Sequence, residues 1–282
     1  MHTYDIFTKE KSSSFSGNAD FLLLSFDGLT EVEFLTKQTF TSLKKADNTE
    51  EISKYLYSPL LITRAIHNLT PFSNMEVLNL AQGEIPSQSA KETFDEGMKL
   101  GRSYELKGNY LLLALNSQDI VQNATDTLSA LSQKSELSIF ETLSLICDKT
   151  LIFYAGFLLE ASRRFHVVVS GGVEMAVSLL IADLLREDVL MRLKSQNITY
   201  ATTSWAIEEA TIVDVLEKLS YKPHAIYTAF DTSNAEIEDI KKIGLKDEKD
   251  KAGAGGALAY GAANSLSDEA LLNEMELIVY ML

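Results

Sequence analysis

Six short apolar runs set the terms of the fold. They cover residues 21–26, 75–80, 110–115, 166–170, 198–203 and 225–230. Several carry no alternation of apolar and polar side chains. A strand with one wet face alternates, whereas a strand covered on both faces has no need to. Segments of helical periodicity lie between the runs, clearest over residues 89–106, 138–164, 174–194 and 208–219. Strands alternating with helices imply βαβ units with right-handed crossovers. The expectation is an α/β fold: a doubly wound, mostly parallel six-stranded sheet with a smaller helical part. One domain over residues 18–282 accommodates it, preceded by a polar segment, 1–17. That segment and residues 44–51 are the expected mobile regions. A last helix, 267–282, opens on the capping-box-like Ser267-Asp268-Glu269-Ala270 and carries an apolar stripe suited to docking on the core.

Composition narrows the function. The chain has 282 residues, 46% of them hydrophobic, with only 4 prolines, so a sizeable core can form. The net charge of −15 argues against a nucleic-acid or anionic-membrane binder, because phosphate backbones require a positive footprint. It leaves room for a local phosphate pocket built from backbone amides. Cys147 is the single cysteine, so no intrachain disulfide or thiolate metal cage forms. The first 17 residues lack the apolar core of a signal peptide, and the longest apolar stretch, 151–159, is too short to span a bilayer. A cytoplasmic protein is expected.

Ligands of doubly wound sheets bind beyond the carboxyl ends of the strands. Polar or glycine-rich turns fall there: Asp27-Gly28-Leu29-Thr30, Asn116-Ser117-Gln118-Asp119, Ser170-Gly171-Gly172-Val173-Glu174, Thr202-Thr203-Ser204-Trp205 and Asp231-Thr232-Ser233-Asn234. Near the C-terminus, Lys251-Ala252-Gly253-Ala254-Gly255-Gly256 leads into a helix-like stretch. Unpaired amides at such a junction carry the positive end of the helix dipole and attract phosphate. The competing reading is that these glycines only let a helix pack tightly. His2, His67, His166 and His224 are far apart in sequence, with no metal-ligand spacing. They read as structural or surface residues. There is no nucleophile elbow, and Cys147 falls in an apolar helical pattern. Gly171-Gly172 lacks the third glycine and spaced acid of a dinucleotide fingerprint.

Taken in order, Ser58-Pro59-Leu60-Leu61-Ile62-Thr63-Arg64-Ala65, Ser170-Gly171-Gly172-Val173-Glu174-Met175, Ala201-Thr202-Thr203-Ser204-Trp205, Phe230-Asp231-Thr232-Ser233 and Ala252-Gly253-Ala254-Gly255-Gly256-Ala257 resemble the nicotinate-nucleotide–dimethylbenzimidazole phosphoribosyltransferase family. The resemblance is nearest to its archaeal and cyanobacterial branch. It implies a homodimer, without metal or other cofactor. It also implies transfer of phosphoribose from nicotinate mononucleotide to a lower-ligand base, benzimidazole-like or purine, for cobamide synthesis. The nicotinate leaves from a cationic pyridinium and needs no general acid. The acceptor nitrogen must lose a proton, so one carboxylate is needed.

Carried over by motif, the base falls on Asp250, with Glu248 as substitute. The substrate contacts fall on Ser170, Gly171, Gly172, Glu174, Thr202, Thr203, Asp231, Ser233, Gly253, Gly255, Gly256, Thr125 and Thr127. The chain departs from the family in several places, among them a short first-strand turn, Asp27-Gly28-Leu29-Thr30. An aspartate replaces the usual glutamate at 250, Lys251 stands where glycine is usual, and the paired glycines after the third strand are missing from 118–127. A second reading therefore stands beside the first: a catalytically weak or inactive relative that binds a nucleotide or a partner.

Overall fold

The computed structural model describes residues 1–12, 15–25, 58–80, 89–116, 120–132, 137–208, 210–243 and 252–281. The turn 27–30, the stretch 44–51, Gln118, Asp119, Glu248, Asp250 and Lys251 lie outside them. Strands occupy all six expected runs: β2 (Ala19–Ser25), β3 (Asn74–Asn79), β4 (Tyr110–Asn116), β5 (His166–Ser170), β6 (Ile198–Thr203) and β7 (His224–Ala229). They pair in parallel in the order β7-β6-β5-β4-β2-β3.

A seventh strand corrects the expected count. β1 (His2–Asp5) pairs antiparallel with β7 at the sheet edge, so part of the polar N-terminal segment is built into the fold. Its four residues carry no apolar run to give it away. Cross-strand pairs hold it instead. The hydroxyls of Thr3 and Thr228 are 3.1 Å apart, and the Tyr4 and Tyr227 rings stack at 5.4 Å.

The described helices are α1 (Pro59–Leu69), α2 (Ala90–Ser103), α3 (Ile120–Leu131), α4 (Ile139–Ile146), α5 (Lys149–Arg164), α6 (Val173–Asp188), α7 (Ser204–Ile207), α8 (Ala210–Leu216), α9 (Glu238–Lys241), α10 (Ala254–Ala263) and α11 (Asp268–Met281). The expected helix over 138–164 is two. Cys147 is extended, and the Asp148 side chain caps α5 by accepting from the Thr150 amide at 2.7 Å. An aspartate offers the backbone this alternative to continuing a helix. Within the 208–219 segment the helix is α8, and the short α7 precedes that segment.

The sheet separates two cores. Leu22, Leu111, Leu113, Val167 and Tyr200 face a layer containing α2, α3, α5 and α6. Phe21, Leu112, Ala114, Val168 and Ile226 face α1, α10 and α11. Connections stepping from β3 toward β7 use the first face, and the step from β2 to β3 uses the second. One crossover hand gives this division. The stepping direction reverses between β2 and β4, which makes that pair of strands the switch point.

Within the first layer, α2 and α5 cross backbone to backbone. A Cβ built on Gly97 would lie 2.0 Å from the Phe153 carbonyl oxygen, and one on Gly156 would lie 2.1 Å from that of Phe94. Neither position admits a side chain without separating the helices.

At the amino ends of the strands, Thr199 joins two histidines. Its hydroxyl lies 2.9 Å from His166 Nε2 and 3.1 Å from His224 Nδ1. Burial, reinforced by His224, lowers the proton affinity of His166 below its ordinary value of 6.5. His67 is lowered too, by burial and by Arg64. Because the unfolded chain then takes up these protons first, the stability they contribute is present above the ordinary imidazole value and is lost as pH falls below it. Thermal melting should therefore drop between about pH 7 and about pH 5, and His166→Gln should flatten part of that slope. An unchanged pH profile in the variant would contradict this assignment.

Candidate functional site

β5 ends on Ser170, which is fully buried. Its hydroxyl donates to the Gly253 carbonyl at 2.8 Å and accepts from the Gly256 amide at 2.7 Å. One side chain thus fixes the first turn of α10 on the carboxyl end of the sheet. The glycines make the approach possible. A Cβ on Gly256 would lie 2.3 Å from Ser170 Oγ, and one on Gly253 would lie 2.7 Å from Ala114 Cβ. Gly253 also has φ +76, a left-handed conformation that favours glycine. The packing reading of this loop is therefore correct, and it coexists with a helix N-terminus at the sheet's ligand edge. Thr63 of α1 adds a third tie, donating to the Ala252 carbonyl at 3.1 Å. Gly253 itself offers α10 no side-chain cap, and the positive end of the helix dipole stands beside β4 and β5.

The neighbouring turn is built differently. Gly171 has φ +154, and its amide donates to the Ala201 carbonyl at 3.1 Å. The Tyr200 hydroxyl lies 2.9 Å from both the Gly171 and Gly172 carbonyls. The Gly172 amide donates to Glu174 Oε1 at 2.9 Å, and Glu174 is only 4% exposed. A carboxylate of the chain itself therefore sits at the start of α6, where an external anion would otherwise be drawn.

The other expected contacts are dispersed. Thr202 and Thr203 are buried at the end of β6, and the Thr203 side chain caps α7 by accepting from the Ala206 amide at 3.2 Å. Asp231 and Ser233 form an exposed turn after β7. The Ser233 amide and hydroxyl hold the Asp231 carboxylate at 2.9 and 3.0 Å, which lowers its proton affinity. Asp231 lines a cavity of about 450 Å³ together with Glu236, Asp268, Glu269 and Glu276, an acidic lining that repels phosphate. Thr125 and Thr127 are not brought to the glycine loop. Both lie within α3, in the layer on the opposite face of the sheet. Their hydroxyls donate to the carbonyls one turn back, from Thr125 to Val121 at 3.0 Å and from Thr127 to Asn123 at 2.7 Å. Burial pushes the Cys147 thiol up to about 12, so it holds its proton and is no nucleophile. No cluster of metal-ligating side chains occurs among the described residues, and no described helix is long and apolar enough to cross a membrane.

Sequence reasoning passed over Ser25, Thr63 and Asn116 as site residues. Ser25 and Asn116 are register partners at the carboxyl ends of β2 and β4, on either side of the switch point. The available signal was strand parity. Tyr110, Leu112 and Ala114 face the α10 layer, and Asn116 continues that face after an apolar run.

No family model matches the chain. It is 28% identical over 144 residues to a UPF0284 protein of Crocosphaera subtropica, a stretch covering 50% of this chain and 38% of that protein. It is 27% identical over 139 residues to a UPF0284 protein of Metallosphaera sedula, covering 48% and 38%. A third UPF0284 protein, from Microcystis aeruginosa, is 28% identical over 152 residues, covering 53% and 42%. The matched stretch is thus less than half the length of each relative. In three dimensions the chain superposes on CobT from Thermus thermophilus with a TM-score of 0.52 at 11% identity, over 94% of this chain and 85% of that one. The two share a fold. A structure titled nicotinate-nucleotide–dimethylbenzimidazole phosphoribosyltransferase from the same organism gives 0.49 at 11% identity, over 93% and 82%. The α/β fold expected from the sequence thus recurs in a solved structure.

The junction itself is open to a test. Ser170→Ala orphans the buried Gly256 amide, at about 1–3 kcal/mol, while the Gly253 carbonyl keeps its bond from the Ala257 amide. Gly256→Ala drives a methyl into Ser170. In a double-mutant cycle by chemical denaturation, Ser170→Gly should relieve part of the Gly256→Ala penalty, with a coupling of about 0.5–3 kcal/mol. Simple additivity would show that the two positions do not pack together.

Proposed function

We propose that this protein is a phosphoribosyltransferase that moves phosphoribose from nicotinate mononucleotide to a lower-ligand base for cobamide synthesis. The observation carrying this reading is the N-terminus of α10, docked through its glycines on Ser170 beside the switch point of a sheet whose fold is shared with CobT. In a chain of net charge −15, phosphate is best met by oriented amides at one place rather than by a field of cations. The start of α10 is that place, because Glu174 occupies the start of α6.

The chemistry asked of the side chains is small. Nicotinate departs from a pyridinium already positive, so no acid is required. The acceptor nitrogen gives up a proton as it attacks the anomeric carbon. Asp250, directly ahead of the glycine loop in sequence, is our choice of base, with Glu248 next. The pocket would work within a homodimer, as the family resemblance implies.

The alternative is a relative that binds a nucleotide without turning it over. The missing glycines after β4, and the helical placement of Thr125 and Thr127, favour that reading.

Incubation with nicotinate mononucleotide and benzimidazole or adenine should release nicotinate. Asp250→Asn should lower turnover by about 10²–10⁴ while leaving nucleotide affinity nearly unchanged, since the phosphate contacts remain. Near-parental turnover in the variant would exclude Asp250 and move the role to Glu248. Tight nucleotide binding with no nicotinate release would establish the non-catalytic reading.

A further inference from the structure

Asn116 is the last residue of β4, 1% exposed, and neither its amide nitrogen nor its amide oxygen has a hydrogen-bond partner among the described residues. Buried amides are almost always paired, and leaving both ends unmet costs stability, so an unmet one needs a reason. Its place in the fold supplies one. Ala114, two residues earlier on the same strand face, lies directly against Gly253. Asn116 follows about 6.6 Å further along the strand, past the glycine loop, at the edge where doubly wound sheets take ligands. Its register partner across the switch point is the buried Ser25.

A carboxamide offers one donor and one acceptor side by side. Its complement is a ring edge with an acceptor and a donor in the same spacing. Adenine presents such an edge on its six-membered ring, through N1 and the exocyclic N6–H, which leaves both imidazole nitrogens for attack and deprotonation. The six-membered ring of benzimidazole carries only C–H groups, and its two nitrogens are engaged in attack and deprotonation. Seated against Asn116, benzimidazole would leave both amide ends unmet, whereas an aminopurine would satisfy both.

We propose that Asn116 reads the polar edge of the acceptor, and that the acceptor is an aminopurine rather than a benzimidazole. The inference rests on the phosphoribosyl-transfer reading for the word acceptor, but its test is a binding measurement independent of turnover.

Calorimetric titration of the full chain with adenine and with benzimidazole should show adenine binding more tightly, by about tenfold to a hundredfold. In Asn116→Leu that preference should collapse. The variant should melt no lower than the parent, because an apolar side chain removes the unmet amide. Should the leucine variant fail to fold, Asn116→Ser carries the same comparison of the two bases. Equal affinities in the parent, no binding of either base, or a preference retained in the variant would each overturn the proposal.

A third arm compares nicotinamide with nicotinate. If the substitution changes only their ratio, Asn116 reads the carboxamide of a leaving pyridine, and the purine assignment falls. Adenine preference that depends on Asn116 without any nicotinate release would leave this inference standing and remove the transfer reaction. Nicotinate release that is indifferent to the identity of the base and to Asn116→Leu would do the reverse.

Discussion

The close approach of α10 to the carboxyl ends of β4 and β5 is the constraint on which the candidate site depends. Helix and sheet usually meet through intervening side chains, at a distance that would hold a helix terminus away from the strand ends. Here Gly253 and Gly256 remove the spacers, and the Ser170 hydroxyl fills the gap with one donated and one accepted bond. The arrangement is geometrically exacting: a serine on the strand and glycines on the helix are each needed by the other. Thr63 of α1 fastens the same loop from the far side, so three elements distant in sequence agree on the position of one turn.

Electrostatics then distinguishes between turns that look alike in sequence. The α6 turn and the α10 turn both bring glycines to a helix start. At the first, the buried Glu174 carboxylate accepts from the Gly172 amide and supplies the negative charge locally. At the second, the side chain that accepts from the first turn is the neutral Ser170 hydroxyl. A third strand end, after β7, is walled by carboxylates and unsuited to any anion.

The sheet was legible because strands covered on both faces leave continuous apolar runs, and these survive without reference to neighbours. β1 was not, because four polar residues at an edge are held by pairs such as Tyr4 with Tyr227, which exist only after folding. The break at Cys147 and Asp148 was hidden inside an apolar helical pattern, where a single aspartate acting as cap outweighed periodicity. The glycine turns were visible by their composition, but the serine that holds them was not distinguishable from any other strand-end serine. Thr125 and Thr127 were placed by motif similarity, and the helical course of α3 turned their hydroxyls back to their own backbone. Asn116 was in plain view as the polar end of an apolar strand. What sequence alone withholds is that nothing in the described fold answers its amide.

The glycine-mediated crossing of α2 and α5 has a kinematic consequence. Backbones in direct contact cannot slide without colliding, because no flexible side chains lie between them to rearrange. The layer behind the sheet therefore behaves as a stiff plate joined to the strands. The layer of α1, α10 and α11 is fastened to the other face by its own buried apolar core and by the close contacts of Gly253 and Gly256. A ligand entering at the sheet's carboxyl edge would meet walls that do not yield on either face.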